Sequence, residues 1–446
     1  MYLGSRFNLA DFESAEGGQQ GNPAIPMGAC AAFHSDLVAL DAALSQAGGF
    51  ARFQMDDGYV VGPPALVFPA VARFRAAVEA KGGRMRHPKM ACYSAGLNAT
   101  ALAAAGKPPD IPVGPGIICS GIPIGSPVFV QEKLTSKVDC ACSDVTKISN
   151  SLRQCNRHSL WALLYYCLAP RMGFWAQLSY PLDVLRHLER FDRCLLDCAS
   201  EPLARDVTHD PLLCARLQLP TRFWGAGLRC RPALRSPAFV GAADWPLGRF
   251  RRDGGDGFLE SAGWLGVGKS GAAFAGLMQE AAGAESGRPA LSPLGLELKN
   301  SWVHMQREAG VRTGDGPANA ESFLHNCPSC LLDCREQGQR ALTRQVEEAR
   351  HGALEKSMLA LGLLDRRREA YFNCAKSSTL WVHTWPAGSW HLSSRGFAHV
   401  TDVFFGVPLR NCAPFVGARV GGARGGTLDA YGCELGGVTR PAGGSA

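Results

Sequence analysis

Ala51-Arg52-Phe53-Gln54-Met55-Asp56-Asp57-Gly58-Tyr59-Val60-Val61-Gly62 decides the fold class. It reads as a strand, an acidic turn and a second strand, a β-hairpin with two carboxylates at its tip. Upstream, Gly17-Gly18-Gln19-Gln20-Gly21-Asn22-Pro23 is a polar, glycine-rich turn, and Met27 to Leu44 reads as a helix. Downstream, a second helix is expected from about Ala65 to Lys81, with Val67, Val71, Phe74 and Val78 at helical spacing. A Gly82-Gly83 turn then leads through Met85 to Lys89, read as a further strand. Helices mixed with strands and Gly/Pro turns predict an α+β fold.

Composition sets the outer limits. The chain has 446 residues, 46 Lys+Arg, 39 Asp+Glu and a formal net charge of +7. That length suggests about three domains. A hydrophobic fraction of 46% and a charged fraction of 19% supply real cores and argue against disorder along the whole chain. The 52 glycines follow no three-residue period, which excludes collagen. No apolar run is read as long enough to span a bilayer, and Met1 to Phe12 lacks a signal-like core, so no membrane partner is expected. The 17 cysteines are odd in number and spread along the chain. They read as reduced thiols of an intracellular protein, nuclear or cytoplasmic, rather than a secreted disulfide scaffold. The mild positive charge suits a nucleic acid or another polyanion.

Five regions separate: 1–125 mixed α/β, 126–245 mostly helical, 246–292 a Gly-rich linker, 293–375 helical, and 376–446 a degenerate C-terminal region with a poorly ordered tail. In the second, Leu182, Leu185, Leu188, Phe191, Leu195 and Cys198 predict one apolar helix face.

Two adjacent carboxylates at a hairpin tip repel unless a cation or donors compensate them. Paired carboxylates can hold divalent ions that activate a hydroxyl and stabilise a leaving pyrophosphate. The bland alternative is a solvated turn, which aspartate favours anyway.

The order of elements resembles the palm of reverse transcriptases, of the non-LTR retrotransposon type. Gln20-Gly21-Asn22-Pro23 is similar to the family's Gln-Gly-Asp-Pro motif, which lines the nucleotide and template pocket. Gln54-Met55-Asp56-Asp57 resembles the Tyr/Phe-x-Asp-Asp catalytic motif. Gly82 to Lys89 resembles the motif whose lysine meets the pyrophosphate. Gly121-Ile122-Pro123-Ile124-Gly125 looks like the hairpin that grips the primer end. Looser likenesses follow at Cys167 to Pro181, at Leu219 to Arg229, at Trp381 and at Leu428 to Gly432. The resemblance implies a partial right-hand palm, then a helical thumb-like region. It implies RNA-directed DNA polymerase chemistry on an RNA template and DNA primer, with Mg²⁺ or Mn²⁺ held by Asp56 and Asp57. Gln20, Gly21, Asn22, Pro23, Gln54 and Met55 would line the substrate pocket, and Lys89 would complete the catalytic set.

The departures bear on activity. The family's first catalytic aspartate lies upstream of the Gln-Gly motif, and Asp11, Glu13 and Glu16 stand in no strand-like run. The fingers also have no room there. Asn22 replaces the usual Asp, and Gln54 the usual aromatic. The expectation is a fragment that does not polymerise DNA by itself, whose palm sheet lacks a strand and leaves an open edge. The alternative is a non-catalytic nucleic-acid-binding remnant. It would use the stretch Arg216 to Arg252, where eight arginines meet one acid and Phe223, Trp224, Trp245 and Phe250 are interleaved. Arg222, Arg229 and Arg231 are its candidate phosphate contacts.

Three other patterns stand apart from this resemblance or at its margin. His325, Cys327, Cys330 and Cys334 could ligate zinc, but no second pair stands at finger spacing, and ordinary thiols are preferred to zinc. Gly263-Trp264-Leu265-Gly266-Val267-Gly268-Lys269-Ser270 spells a phosphate-binding loop without the strand that should precede it, so a plain loop is preferred. Cys412 and Cys433 flank a run resembling a decayed Cys/His motif. No Gly-x-Ser-x-Gly elbow supports a hydrolase.

Overall fold

The computed structural model describes residues 24–45, 49–54, 57–85, 89–152, 156–252, 301, 304–305, 338–363, 365–372, 392–410, 412–418 and 430. The described chain is mostly helical with two small antiparallel sheets, in keeping with an α+β class. It divides into two compact units, Met1–Val130 and Gln131–Ala446.

The first unit holds α1 (Ala24–Ser45), β1 (Phe50–Gln54), β2 (Asp57–Val61), α2 (Pro64–Ala80), α3 (Ala99–Ala104), β3 (Gly116–Cys119) and β4 (Ile122–Gly125). The expected hairpin forms: β1 and β2 are antiparallel, with Gln54 opposite Asp57 and Phe50 opposite Val61. One face of it covers the two helices. Leu40, Leu44, Ala51, Ala70, Phe74 and Val78 are buried together, with Phe33, Phe53, Val60 and Val67 packed on them. The rings of Phe53 and Phe74 meet at 5.4 Å. Burial of an aromatic or aliphatic side chain is worth roughly 1.5–3 kcal/mol, so this cluster holds the hairpin in place. Asp41 adds a polar tie: its Oδ1 accepts from the Ala51 N–H at 2.8 Å and from Arg52 Nη1 at 2.9 Å. Pro64 opens α2 where a missing N–H costs nothing. Gly82, at φ +83, ends it, and the Gly83 N–H returns to the Val78 carbonyl.

Three sequence expectations change here. No strand runs from Gly82 to Lys89 among the described residues: positions 83–85 are irregular and Lys89 sits in a single turn. Extended chain becomes a strand only beside a partner, and neither hairpin offers one there. In place of one sheet there are two separate two-stranded ribbons, β1-β2 and β3-β4. And α1 does contain an apolar run of spanning length. Met27–Ser45 is 19 residues with mean hydropathy 1.2, and 11% of it is buried. His34, Asp36 and Asp41 interrupt that run to the eye, yet the average carries it. Length and composition alone do not separate such a helix from a core helix.

The division between the units falls inside α4 (Pro127–Leu152). The second unit continues with α5 (Arg157–Leu163), a π-turn (Leu164–Leu168), a 3₁₀ turn (Ala169–Met172), α6 (Gly173–Leu178), α7 (Pro181–Leu203) and α8 (Pro211–Gln218). Then come α9 (Arg231–Arg252), α10 (Gly338–Leu359), α11 (Arg366–Phe372) and α12 (Ser394–Phe405). Helix α9 packs on α6, α7 and α10, and α12 packs on α5, α7 and α11. Trp161, Leu164, Met172, Val184, Leu188 and Phe191 are fully buried at the centre. The apolar face of α7 is Val184, Leu188, Phe191, Leu195 and Cys198. Leu182, assigned to that face from the sequence, is 62% exposed. It lies in the first turn after Pro181, nearly half a turn around the helix from the stripe.

Helices α4 and α7 run parallel, because their contacts climb together. Gln131 bonds the Asp183 carbonyl and His187; Asp139 pairs with Arg190 at 2.6 Å; Cys142 meets Cys194; Ser149 meets Cys198.

Candidate functional site

In the first unit the acidic hairpin and the second hairpin meet. The Ser120 N–H donates to the Tyr59 hydroxyl at 2.7 Å, and the two side-chain oxygens lie 3.3 Å apart. Tyr59 is on β2, two residues after Asp57, and Ser120 heads the β3-β4 turn. Ser120 takes φ +47 and Gly121 φ +84, which aims the turn's amide at the phenol. A left-handed φ costs a non-glycine residue energy and persists where its surroundings hold it. The turn thus brings Gly121 to Asp57's hairpin. The Cys119 thiol lies there too: burial pushes it up, the Tyr59 and Ser120 hydroxyls pull it down, and the Asp57 charge pushes it up.

The β3-β4 hairpin is tightly built. Gly116 faces Gly125, Ile117 faces Ile124 and Ile118 faces Pro123. A Cβ on Gly125 would stand 2.5 Å from the Gly116 Cα and 2.9 Å from the Phe129 ring. The paired glycines let Phe129 cover the ribbon. Ile122 and Pro123 are buried while Ile124 is exposed.

Asp57 is exposed and makes no ion pair among the described residues. Gln54 ends β1 opposite it. Lys89 is exposed. Met55, Asp56, Gln20, Gly21, Asn22 and Pro23 lie outside the described residues. Carboxylate oxygen is the right donor for Mg²⁺ or Mn²⁺. Asp57, with its chain neighbour Asp56, would be the ligands of such an ion. Among the described residues, no group of three or more His, Cys, Asp or Glu could hold a metal.

In the second unit the arginine stretch turns inward. Arg231 is buried. Its backbone N–H and Nη1 both donate to Asp192, at 2.8 and 2.7 Å, and Nη2 reaches the Ala169 carbonyl. Arg216 is buried among the Phe404, Phe405 and Tyr371 rings, and its Nε donates to the Trp224 carbonyl at 3.3 Å. Arg235 is buried against His304. Arg222 and Arg229 are half-exposed, and both pair with the buried Glu347, Arg229 at 3.5 Å. Burial pushes the Glu347 carboxyl up, and Arg229, Arg222 and Arg350 oppose that. Arg231, a candidate phosphate contact in the sequence reading, is therefore a core residue, while Arg222 and Arg229 keep solvent-facing surface. Their loop is constrained. Trp224 and Arg229 have φ of +60 and +37, and Gly227, at φ +84, lies against Tyr165, whose ring a Cβ would strike.

No family model, curated protein or solved structure matches this chain.

Among the described residues no cysteine is in a disulfide, and Cys198 and Cys412 are buried. His325, Cys327, Cys330, Cys334, Gly263 to Ser270, Trp381 and Cys433 lie outside the described residues. A cavity of about 420 Å³ is lined by Asp197, Ser200, Glu201, Arg205, Asp206 and Thr208, none of them a residue singled out from the sequence. Sequence reasoning missed Tyr59, Ser120, Asp192 and Glu347. Tyr59 and Ser120 are 61 positions apart, and no local spacing signals such a pair.

Proposed function

We propose that this chain is a fragment of a retrotransposon-derived RNA-directed DNA polymerase, carrying part of a palm in its first unit and a thumb-like helical unit after it. The observation behind this reading is the Tyr59–Ser120 hydrogen bond. It ties the hairpin of Asp57 to the turn of Gly121, the two motifs whose sequence spelling resembles the catalytic and primer-gripping hairpins. Asp56 and Asp57 would hold Mg²⁺ or Mn²⁺. Such an ion, when bound, activates a hydroxyl nucleophile and stabilises a leaving pyrophosphate. Asp57 contributes an exposed carboxylate beside Gln54. The buried Ile122 and Pro123 anchor the second hairpin, which leaves its turn to meet a primer end.

A second reading, a non-catalytic nucleic-acid-binding remnant, draws support from the solvent-facing Arg222 and Arg229. Divalent metal separates the two. In the first reading, Mn²⁺ binding to the full chain, followed by paramagnetic relaxation of water protons, weakens at least tenfold in Asp57→Asn and in Asp56→Asn. Mn²⁺ binding equal in wild type and both variants would sink it. Salt-sensitive RNA or DNA binding, indifferent to both substitutions, would then leave the second. The chain alone is expected not to extend a primer.

A further inference from the structure

Cys142 and Cys194 sit at one level of the parallel pair α4 and α7. The Cys194 thiol points at the Cys142 backbone, 3.8 Å from its carbonyl oxygen, and each thiol perturbs the titration of the other. Rungs on either side fix the helix separation there. Arg190 and Asp139 pair at 2.6 Å on one side, and Ser149 meets Cys198 on the other. Thr146 donates to the Cys142 carbonyl at 3.0 Å, one turn along α4. Both thiols are half-buried rather than sealed, so a small oxidant can reach them. Cys140, two residues before Cys142, is exposed and thus on another face of α4.

We propose that Cys142 and Cys194 are a site of reversible oxidation, closing to a disulfide between α4 and α7 under hydrogen peroxide. The Cys194 sulfur lies 3.8 Å from the Cys142 main chain, so the two residues are in direct contact, the first demand on such a bond. Two steps balance. The Cys142 sulfur attacks the peroxide oxygen, the O–O bond breaks, and Cys142 sulfenic acid and one water form. The Cys194 sulfur then attacks the sulfenic sulfur, the S–O bond breaks, and the disulfide and a second water form. Together the two thiols lose two electrons, one per sulfur, and one peroxide gains them. The roles follow from the surroundings. Burial raises both thiols, Cys194 to about 12 with Cys142 adding to it, while Cys194 and Arg190 hold Cys142 back, so Cys142 is the better nucleophile of the two. Burial also raises Cys142, so closure takes sustained oxidant rather than a brief pulse. This inference is independent of the polymerase reading.

The test treats purified, reduced full-length chain with hydrogen peroxide, blocks free thiols, digests without reductant and maps linked peptides. The expected product is a Cys142–Cys194 linkage that dithiothreitol reverses. It should dominate in folded protein and lose that dominance when oxidation is run in urea. Cys142→Ser should leave Cys194 free to alkylating agent. Cys142→Ser and Cys194→Ser are near-isosteric, and comparison of their circular dichroism with wild type checks that the fold persists. Peroxide that oxidises Cys140 or Cys30 while Cys142 and Cys194 stay unlinked overturns the proposal, as does equal linkage in folded and urea-treated chain.

Discussion

Removing Asp192 should be among the most damaging single changes in the second unit. Asp192 and Arg231 are both buried, and Asp192 accepts from the Arg231 backbone N–H and Nη1. Burial pushes the carboxyl up and the guanidinium pulls it down, so each charge is tolerated only because the other is present. Asp192→Ala leaves the guanidinium buried with its main countercharge gone. Breaking one side of a buried ion pair costs about 3–5 kcal/mol. The Ala169 carbonyl and the Phe191 ring, 5.3 Å from the guanidinium carbon, remain as partners. They place the expectation near the lower end, about 3 kcal/mol. That is a large share of the roughly 5–15 kcal/mol that holds a typical domain. Replacing both members, Asp192→Leu with Arg231→Met, removes the desolvation cost with the attraction and should recover most of the loss. The assay is urea unfolding followed by tryptophan fluorescence. All nine tryptophans lie after residue 130, so the signal reports the second unit. A loss below about 1 kcal/mol for Asp192→Ala, or a double variant as unstable as the sum of the singles, would refute the reasoning.

The other predictions concern pH and backbone space. Burial, with Arg186 and Arg190 nearby, holds the His187 ring below its usual value, against Asp139 and Asp183. A lowered folded value means its stability contribution is present above the unfolded value, about 6.5, and is lost as pH falls through the folded one. His187→Asn, which can still bond Gln131, should therefore flatten the stability of the second unit as pH falls below about 6.5; an unchanged slope would show that another group titrates there. Gly125→Ala would drive a Cβ to within 2.6 Å of the Pro115 carbonyl and 2.5 Å of the Gly116 Cα. Backbone cannot yield as a side chain can, so the cost should exceed about 2 kcal/mol. Hydrogen exchange at Ile117 and Ile124 would show it as lost protection, and full protection would refute it.

What the sequence disclosed was local. The runs Ala51 to Met55 and Gly58 to Gly62 around Asp56-Asp57 marked the first hairpin, because register and turn lie within a dozen residues. Phe74 and Val78 at four-residue spacing marked the buried face of α2. Leu182 misled because the spacing Leu182, Leu185, Leu188 takes two three-residue steps in a row, each falling about 60° short of a full turn, which carries Leu182 off the buried stripe. Gly82 to Lys89 read as a strand through its likeness to a family motif, but strand formation depends on a neighbour that a sequence window does not contain. The arginines are the larger lesson. Composition registered eight cations and one acid between 216 and 252. It did not register Asp192, 39 positions before Arg231, or Glu347, 125 positions after Arg222. A stretch that looked like an open basic surface is in part a set of core ion pairs.

The parallel arrangement of α4 and α7 has a consequence for how the chain acquires its shape. Neighbouring antiparallel helices can zip up from a short connection as soon as both exist. Parallel ones cannot, since the chain must travel back along their whole length first. Here Cys142 waits for Cys194, 52 residues later. At a ribosome adding about 5–20 residues each second, that is an interval of about 3–10 seconds. Through it, the apolar face of α4, with Leu134, Val138 and Val145, has none of its α7 partners beside it. Closing so large a loop is also entropically slower than forming local contacts. The nascent α4 is thus the segment on which early capture by a chaperone, or misassociation with another copy, would act.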